Sequence, residues 1–323
     1  MASKKVGKKF KLSVLTPFYN EGEGIKDYFS QTIAIISQIT KDWEIICIDD
    51  GSTDSTKEQL LKHAKNNSKI KVISLARNFG KEAALTAALD HATGDIVIPI
   101  DADLQDPPYV MKLMVQKWFE GYSVVNAVRK TRSDSRIKRW PAVMFHHLIN
   151  FLSNGNIPVN VGDFRLIDKK ALNAINNLRE KTRYMKGIIS WVGFKTTTIE
   201  YSRPMRNVGN SKLNFWKLVR LGYDGIFSFS SKPLKIWLYL GLLFSLTGFI
   251  YACYLILKTF IYGSVLPGYT SLMVAIIFIG GIQLISLGII GEYVARIFKE
   301  VKNRPIYLID EVTVVKKRAQ KIE

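Results

Sequence analysis

Short apolar blocks punctuate the first part of the chain. Leu12-Ser13-Val14-Leu15, Glu44-Ile45-Ile46-Cys47-Ile48, Lys71 to Leu75 and Ile96-Val97-Ile98-Pro99-Ile100 each have the length and β-branched content of a buried strand. Between them lie segments with helical periodicity: one running to about Thr40, one from a Ser52-Thr53-Asp54 cap through Ala64, and one with Ala83, Ala84, Leu85, Ala87, Ala88 and Leu89 on a broad apolar face. Strand and helix alternate four times by Pro108, which predicts an α/β domain with a largely parallel sheet, helices on its faces and right-handed crossovers. Val124 to Val128 suggests a further strand, and a helix is expected to begin near Asp168.

The pattern changes in the C-terminal third. From Leu213 to Phe229 bulky apolar residues mix with Lys217 and Arg220, as in a helix lying at a membrane surface. Two charge-free runs follow, Ile236 to Leu257 and Thr270 to Gly291, each long enough to span a bilayer. The expected organisation is a basic leader (1–10), a catalytic domain (11–212), an amphipathic juxtamembrane segment (213–234), a two-span hairpin (235–292) and a basic tail (293–323). Lysine and arginine concentrate before the first span and after the second, which predicts cytoplasmic termini and a cytoplasmic catalytic domain.

Candidate chemistry sits where strands stop. The Ile96 strand runs directly into Asp101-Ala102-Asp103-Leu104-Gln105-Asp106-Pro107-Pro108, and the Glu44 strand into Asp49-Asp50-Gly51-Ser52-Thr53-Asp54. Open α/β sheets bind ligands at the carboxyl ends of their strands. Carboxylates there suit a hard cation such as Mg²⁺ or Mn²⁺, which takes few protein ligands and completes its shell from phosphate and water. Gly22-Glu23-Gly24 lacks the third glycine of a dinucleotide fingerprint, since Asp27 stands in its place.

A formal charge of +19 over 323 residues makes an anionic partner the expectation. Its basic residues flank the spans and cluster at Arg129, Lys130, Arg132, Arg136, Lys138 and Arg139, and again from Arg203 to Lys212, an arrangement suited to phosphates and lipid and not to nucleic acid. Cys47 and Cys253 lie in apolar runs without metal spacing and read as buried small hydrophobes. Gly162-Asp163-Phe164 places one acid among apolar residues, where a carboxylate needs a partner or a function.

Taken together, Pro17-Phe18-Tyr19-Asn20-Glu21, the Asp49 to Asp54 turn and the Asp101 to Pro108 turn resemble the motifs of a family 2, GT-A fold glycosyltransferase. With Arg77-Asn78-Phe79-Gly80-Lys81, Gly162-Asp163-Phe164 and the paired spans, the chain is more narrowly similar to polyprenyl-phosphate glycosyltransferases of the GtrB and dolichyl-phosphate-mannose synthase type. The resemblance implies a Rossmann-like GT-A domain that moves a sugar from a nucleotide-sugar donor to polyprenyl phosphate in the bilayer, glucose from UDP-glucose being preferred and GDP-mannose or UDP-N-acetyl sugars the alternatives. It is also compatible with a homo-oligomer. Carried over by position, Pro17, Tyr19, Glu21, Asp50 and Lys81 would bind the nucleotide, and Asp101, Asp103 and Gln105 the metal. Asp163, Asp106 and Arg129 would stand at the reacting centre, and Arg132, Arg206, Ser211 and Lys212 would contact phosphates of donor or acceptor.

Asp163 matches the family's proposed base, but a phosphate monoester has a second pKa of about 6 and is already anionic near neutral pH. Asp163 is therefore expected to orient the acceptor, an arginine or the metal shell and not to take a proton. A non-catalytic membrane scaffold would have no need of the acids at 101, 103 and 106.

Overall fold

A computed structural model describes residues 9–129, 161–181, 183–201, 232–262 and 268–313. Two units emerge: residues 9–129, 161–181, 183–201 and 304–313 form one, and residues 232–262 and 268–303 the other.

The first unit is built on an eight-stranded sheet. Its strands are β1 (Leu12–Phe18), β2 (Trp43–Asp49), β3 (Ile70–Leu75), β4 (Ile96–Pro99), β5 (Val124–Arg129), β6 (Val161–Asp168), β7 (Thr196–Tyr201) and β8 (Ile309–Thr313), in the order β7-β5-β6-β4-β1-β2-β3-β8. The expected parallel half is present, with β1 flanked by β2 and β4 and β2 followed by β3. Beyond it the sheet is mixed: β6 runs antiparallel to both β4 and β5, while β7 is parallel to β5. β8 closes the other edge, antiparallel to β3. Its residues belong to the segment read from sequence as a basic tail, so part of that tail re-enters the catalytic unit after the second long helix.

The helices of this unit are α1 (Ile25–Ile39), α2 (Thr56–Asn66), α3 (Lys81–Asp90), α4 (Val110–Phe119), α5 (Lys169–Asn177) and α6 (Met185–Trp191). α3 is apolar almost all round, and Ala83 to Leu89 are buried without interruption. Its alanines let the backbone lie close to β1 and β2, as expected of a helix enclosed by its neighbours. Asp168 caps α5 as its spacing predicts, accepting the Ala171 N–H at 2.9 Å. The core joins Leu12, Val14, Phe18, Ile45, Cys47, Ile96 and Ile98 of the sheet to Tyr28, Phe29, Met111 and Met114 of α1 and α4.

Two features of the topology position the site. β1, β2 and β4 are parallel neighbours, so the loops after Phe18, Asp49 and Pro99 leave the same end of the sheet. β6 pairs with β4 through Ile96↔Asp168 and Val97↔Ile167, and continuing that antiparallel register carries the start of β6, with Asp163, to the level of Asp101.

The second unit contains α7 (Lys232–Tyr262, 31 residues) and α8 (Tyr269–Val301, 33 residues), and the two predicted spans fall inside them. Among the described residues, the stretch Phe278–Val301 is long and apolar enough to cross a membrane. Both helices expose large apolar side chains, including Phe249, Ile250 and Phe260 on α7 and Leu284 and Leu287 on α8. Near the end of α8, Arg296 bonds Glu292 at 2.8 Å one turn earlier and Lys302 lies over the Phe298 ring. Cys47 is buried as expected, but Cys253 is exposed on α7. An apolar helix without a soluble core around it shows its small hydrophobes as well as its large ones.

Candidate active site

A cleft of about 290 Å³ opens at the carboxyl ends of β1, β2 and β4, lined by Pro17, Phe18, Tyr19, Glu21, Asp50, Asn78, Gly80, Lys81, Asp101, Ala102 and Asp103. All five residues expected to bind nucleotide are in this lining, with two of the three expected metal ligands.

The β2 loop is held by its own carboxylates. Asp50 accepts the N–H groups of Phe79 at 2.7 Å and Gly80 at 2.9 Å, Asp49 accepts that of Ser52 at 3.1 Å, and Asp54 accepts those of Thr56 at 3.0 Å and Gly22 at 3.2 Å. Burial pushes the Asp50 carboxyl up, the two amides pull it back, and Asp49 adds to the rise. Asp50 therefore shapes the Asn78 to Lys81 turn as well as facing the cleft. Gly51 makes the close approach possible: its φ is +69°, and a Cβ there would stand 2.5 Å from the Arg77 carbonyl carbon. Gly80, at φ +94°, turns the chain into α3 and delivers Lys81 to the cleft as that helix begins.

Lys81 is the hub. Its Nζ lies 2.7 Å from Oδ1 and 2.9 Å from Oδ2 of Asp101, and 2.8 Å from Oδ2 of Asp163. Burial works against the ammonium, but the carboxylates of Asp163 and Asp101 outweigh it and raise its pKa. Asp163 shows the reverse balance: burial raises its pKa, while Lys81, Lys186 and Arg165 bring it below the usual carboxylate range. Asp101 stays raised, because burial and the charges of Asp163 and Asp103 exceed the help from Lys81.

Asp103 turns back on its own loop, its Oδ1 accepting the Gln105 N–H at 3.1 Å, while Leu104 between them takes φ +51°. Gln105 does not line the cleft. Glu21 is raised by burial and then by Asp103, Asp101 and Asp54, so negative charge gathers at this end of the cleft. That concentration, with two carboxylates on neighbouring loop positions, fits a divalent ion that takes its other ligands from a diphosphate and water. Among the described residues no three His, Cys, Asp or Glu side chains form a ready-made cage.

Asp106 is buried and its Oδ1 accepts the hydroxyl of Tyr201, the last residue of β7. The structure thus leaves it out of the cleft lining, tying the β4 loop to β7. Arg129 ends β5 opposite Tyr201 in register, and its side chain is outside the described set. Arg132, Arg206, Ser211 and Lys212 also lie outside the described residues, as does the amphipathic segment 213–231.

Sequence reasoning passed over the layer behind Asp163. Arg165, two residues along β6, is buried, donates from Nη2 to the Gly162 carbonyl at 2.6 Å, and has no hydrogen-bond partner at Nε among the described residues. Glu82 accepts the Met185 N–H at 3.2 Å, and burial and Asp163 push its carboxyl up to about 7. Lys186 is lowered by burial. Period-two spacing could have signalled that Arg165 shares a face with Asp163; nothing local signals Glu82 or Lys186, which meet β6 only through the fold.

Residues 13–175 match the family model described as glycosyl transferase family 2, and residues 232–297 match that of the GtrB C-terminal hairpin. An uncharacterized glycosyltransferase of Synechocystis sp. is 49% identical over 302 residues, which cover 93% of this chain and 95% of that protein. A prophage bactoprenol glucosyl transferase homolog of Escherichia coli is 45% identical over 303 residues (94% and 99%), and the bactoprenol glucosyl transferase of Shigella phage SfII is 45% identical over 300 (93% and 97%).

Proposed function

Since the chain belongs to glycosyl transferase family 2 and carries a GtrB-type hairpin, we propose that it moves glucose from UDP-glucose onto polyprenyl phosphate, undecaprenyl phosphate being the expected carrier. The reaction takes place at the cytoplasmic face of the cell membrane, with the two-helix hairpin spanning the bilayer and both termini in the cytoplasm. The choice of sugar and carrier leans on the relatives named bactoprenol glucosyl transferase. The observation that carries the reaction class is the cleft, where an aromatic and apolar rim from β1 meets Asp101, Asp103 and Lys81.

Pro17 and Tyr19 offer a flat surface for a nucleoside base, and Tyr19 is 47% exposed at the rim, whereas the Phe18 side chain is buried in the core. Asp101 and Asp103 would hold Mg²⁺ or Mn²⁺, which supplies positive charge to the departing diphosphate. The sugar carbon, oxocarbenium-like as that bond loosens, is attacked once by an acceptor oxygen, and the anomeric centre inverts. Asp163 is kept ionised by Lys81, so its carboxylate is a weak base and a strong electrostatic anchor. It holds Lys81 in place while the acceptor phosphate attacks without needing deprotonation. At the membrane the hairpin confines the cleft to the surface where the acceptor headgroup lies, turning a three-dimensional search into a local one.

The test is a panel of UDP- and GDP-sugars offered to the purified full chain with undecaprenyl phosphate and Mg²⁺ or Mn²⁺. Lipid-linked glucose should form from UDP-glucose in preference to the others. No lipid product from any donor would sink the reaction, and preference for another sugar would sink the donor assignment.

A further inference from the structure

The ammonium of Lys81 contacts both oxygens of Asp101 as well as one of Asp163. A divalent ion that takes Asp101 as ligand needs one of those oxygens at about 2.0–2.1 Å for Mg²⁺. Two cations on the same carboxylate would sit only about 4 Å apart, where like charges repel strongly away from bulk water. Lys81 and the ion therefore compete for Asp101.

The lysine is placed to yield. Its side chain is 48% exposed, so it can swing without opening the core, unlike the buried Arg165 on the neighbouring strand. Its helix is fixed, since Ala83 to Leu89 are buried and Asp50 clamps the turn just before it. Asp163 offers a second anchor on which the ammonium can stay while leaving Asp101. A lysine so held can reach only groups within the cleft. The anionic group expected beside Asp101 there is the donor diphosphate.

Taking the transfer reaction above as given, we propose that Lys81 is a stand-in cation. It neutralises Asp101 until a divalent ion arrives, gives up that carboxylate to the ion, and turns on its Asp163 contact to donate to the donor's diphosphate. Metal alone then binds weakly, because it must displace an ion pair. Metal with nucleotide binds well, because the displaced ammonium finds an anion.

The full chain in detergent micelles, titrated with Mn²⁺ alone and followed by the electron paramagnetic resonance signal of free Mn²⁺, tests the first half. Lys81→Met should bind Mn²⁺ about tenfold tighter than the native chain, Lys81→Arg within about threefold of it, and Lys186→Met, which removes a cation from the layer behind Asp163, also within about threefold. With Mn²⁺ saturating, Lys81→Met should bind UDP about tenfold more weakly. Unchanged or weaker Mn²⁺ binding in Lys81→Met overturns the proposal. So does equal tightening in Lys186→Met, which would mark a general charge effect.

A second measurement needs no variant. Mn²⁺ alone should raise the rate at which an amine-reactive reagent labels Lys81 in the native chain, read by peptide mass spectrometry, and an unchanged or lowered rate overturns the proposal. The two readings fail separately. Product formation with no sign of competition sinks the stand-in role and leaves transfer intact; competition without lipid product from any donor sinks the transfer.

Discussion

At the end of β2 the chain turns through Asp49, the strand's last residue, Asp50 and Asp54; after β4 it turns through Asp101, Asp103 and Asp106. The two turns leave the same end of the sheet with the same complement of acids, and their carboxylates meet different partners. Every acid of the first turn accepts backbone N–H groups, so that loop is a rigid wall of the cleft. After β4, Asp106 is tied to Tyr201 and Asp103 to one amide, while among the described residues Asp101 is matched only by a half-exposed lysine. A carboxylate satisfied by fixed amides cannot leave them cheaply, whereas one satisfied by a flexible ammonium can exchange it for another cation. Similar acid-rich turns can thus serve as scaffold or as binding group, and the partner decides which.

The largest expected effect breaks the comparison on its binding side. Asp101→Asn keeps the volume but removes the charge that Lys81 and a divalent ion share, and turnover should fall on the order of 10³-fold. Its melting temperature should stay within a few degrees of the native chain, because among the described residues the side chain supports no backbone group. A large loss of stability would move Asp101 to the scaffold class. Gly51→Ala attacks the scaffold side. The added methyl meets the Arg77 carbonyl carbon at 2.5 Å and the Asn78 nitrogen at 2.6 Å, both backbone atoms, at a φ that disfavours a side chain. A loss of roughly 3–4 kcal/mol is expected in thermal unfolding of the detergent-solubilised chain.

Asp50→Asn sharpens the distinction more gently. An asparagine oxygen can still accept one of the Phe79 and Gly80 amides, while its NH₂ faces the other, for a cost of about 2–3 kcal/mol. Activity should drop about tenfold because Lys81 loses its fixed approach. Should stability hold while the apparent affinity for UDP-glucose falls instead, Asp50 is a nucleotide ligand first and a clamp second.

How much of this was legible from the sequence follows from where each signal resides. β1 to β4 and the acids that end them are local: an apolar block stops and a polar turn begins, and parallel pairing brings those turns together without further information. The Asp106–Tyr201 contact joins positions 95 residues apart, and no local pattern reports it. β8 escaped because an edge strand whose first four residues are all exposed has no buried face to impose alternation, and Ile309-Asp310-Glu311-Val312-Thr313 reads as tail. Glu82 escaped because a Lys-Glu pair opening a helix ordinarily faces solvent; it is half-buried here, where it accepts the Met185 N–H from a segment 103 residues away.

That half-buried acid provides the smallest and most specific test of the contrast between fixed and exchangeable partners. Burial and Asp163 push Glu82 up to about 7, against the Met185 amide, Lys81 and Lys186; Tyr184, Arg165 and Arg183 also sense its charge. Between its ordinary value of 4.5 and about 7, the folded chain keeps a proton that the unfolded chain has released. Its contribution to stability is therefore complete below about pH 4.5, declines as pH rises through 7, and is flat beyond. Glu82→Gln carries no charge at any of these pH values and should abolish the decline. Relative to the native chain, the variant should gain on the order of 1–2 kcal/mol between pH 5 and pH 8, read as a difference in melting temperature across the series. If the two chains run parallel over that range, Glu82 is ionised throughout in the fold. The lysines behind Asp163 then satisfy it fully, as the amides satisfy Asp50, and the buried layer belongs with the fixed scaffold.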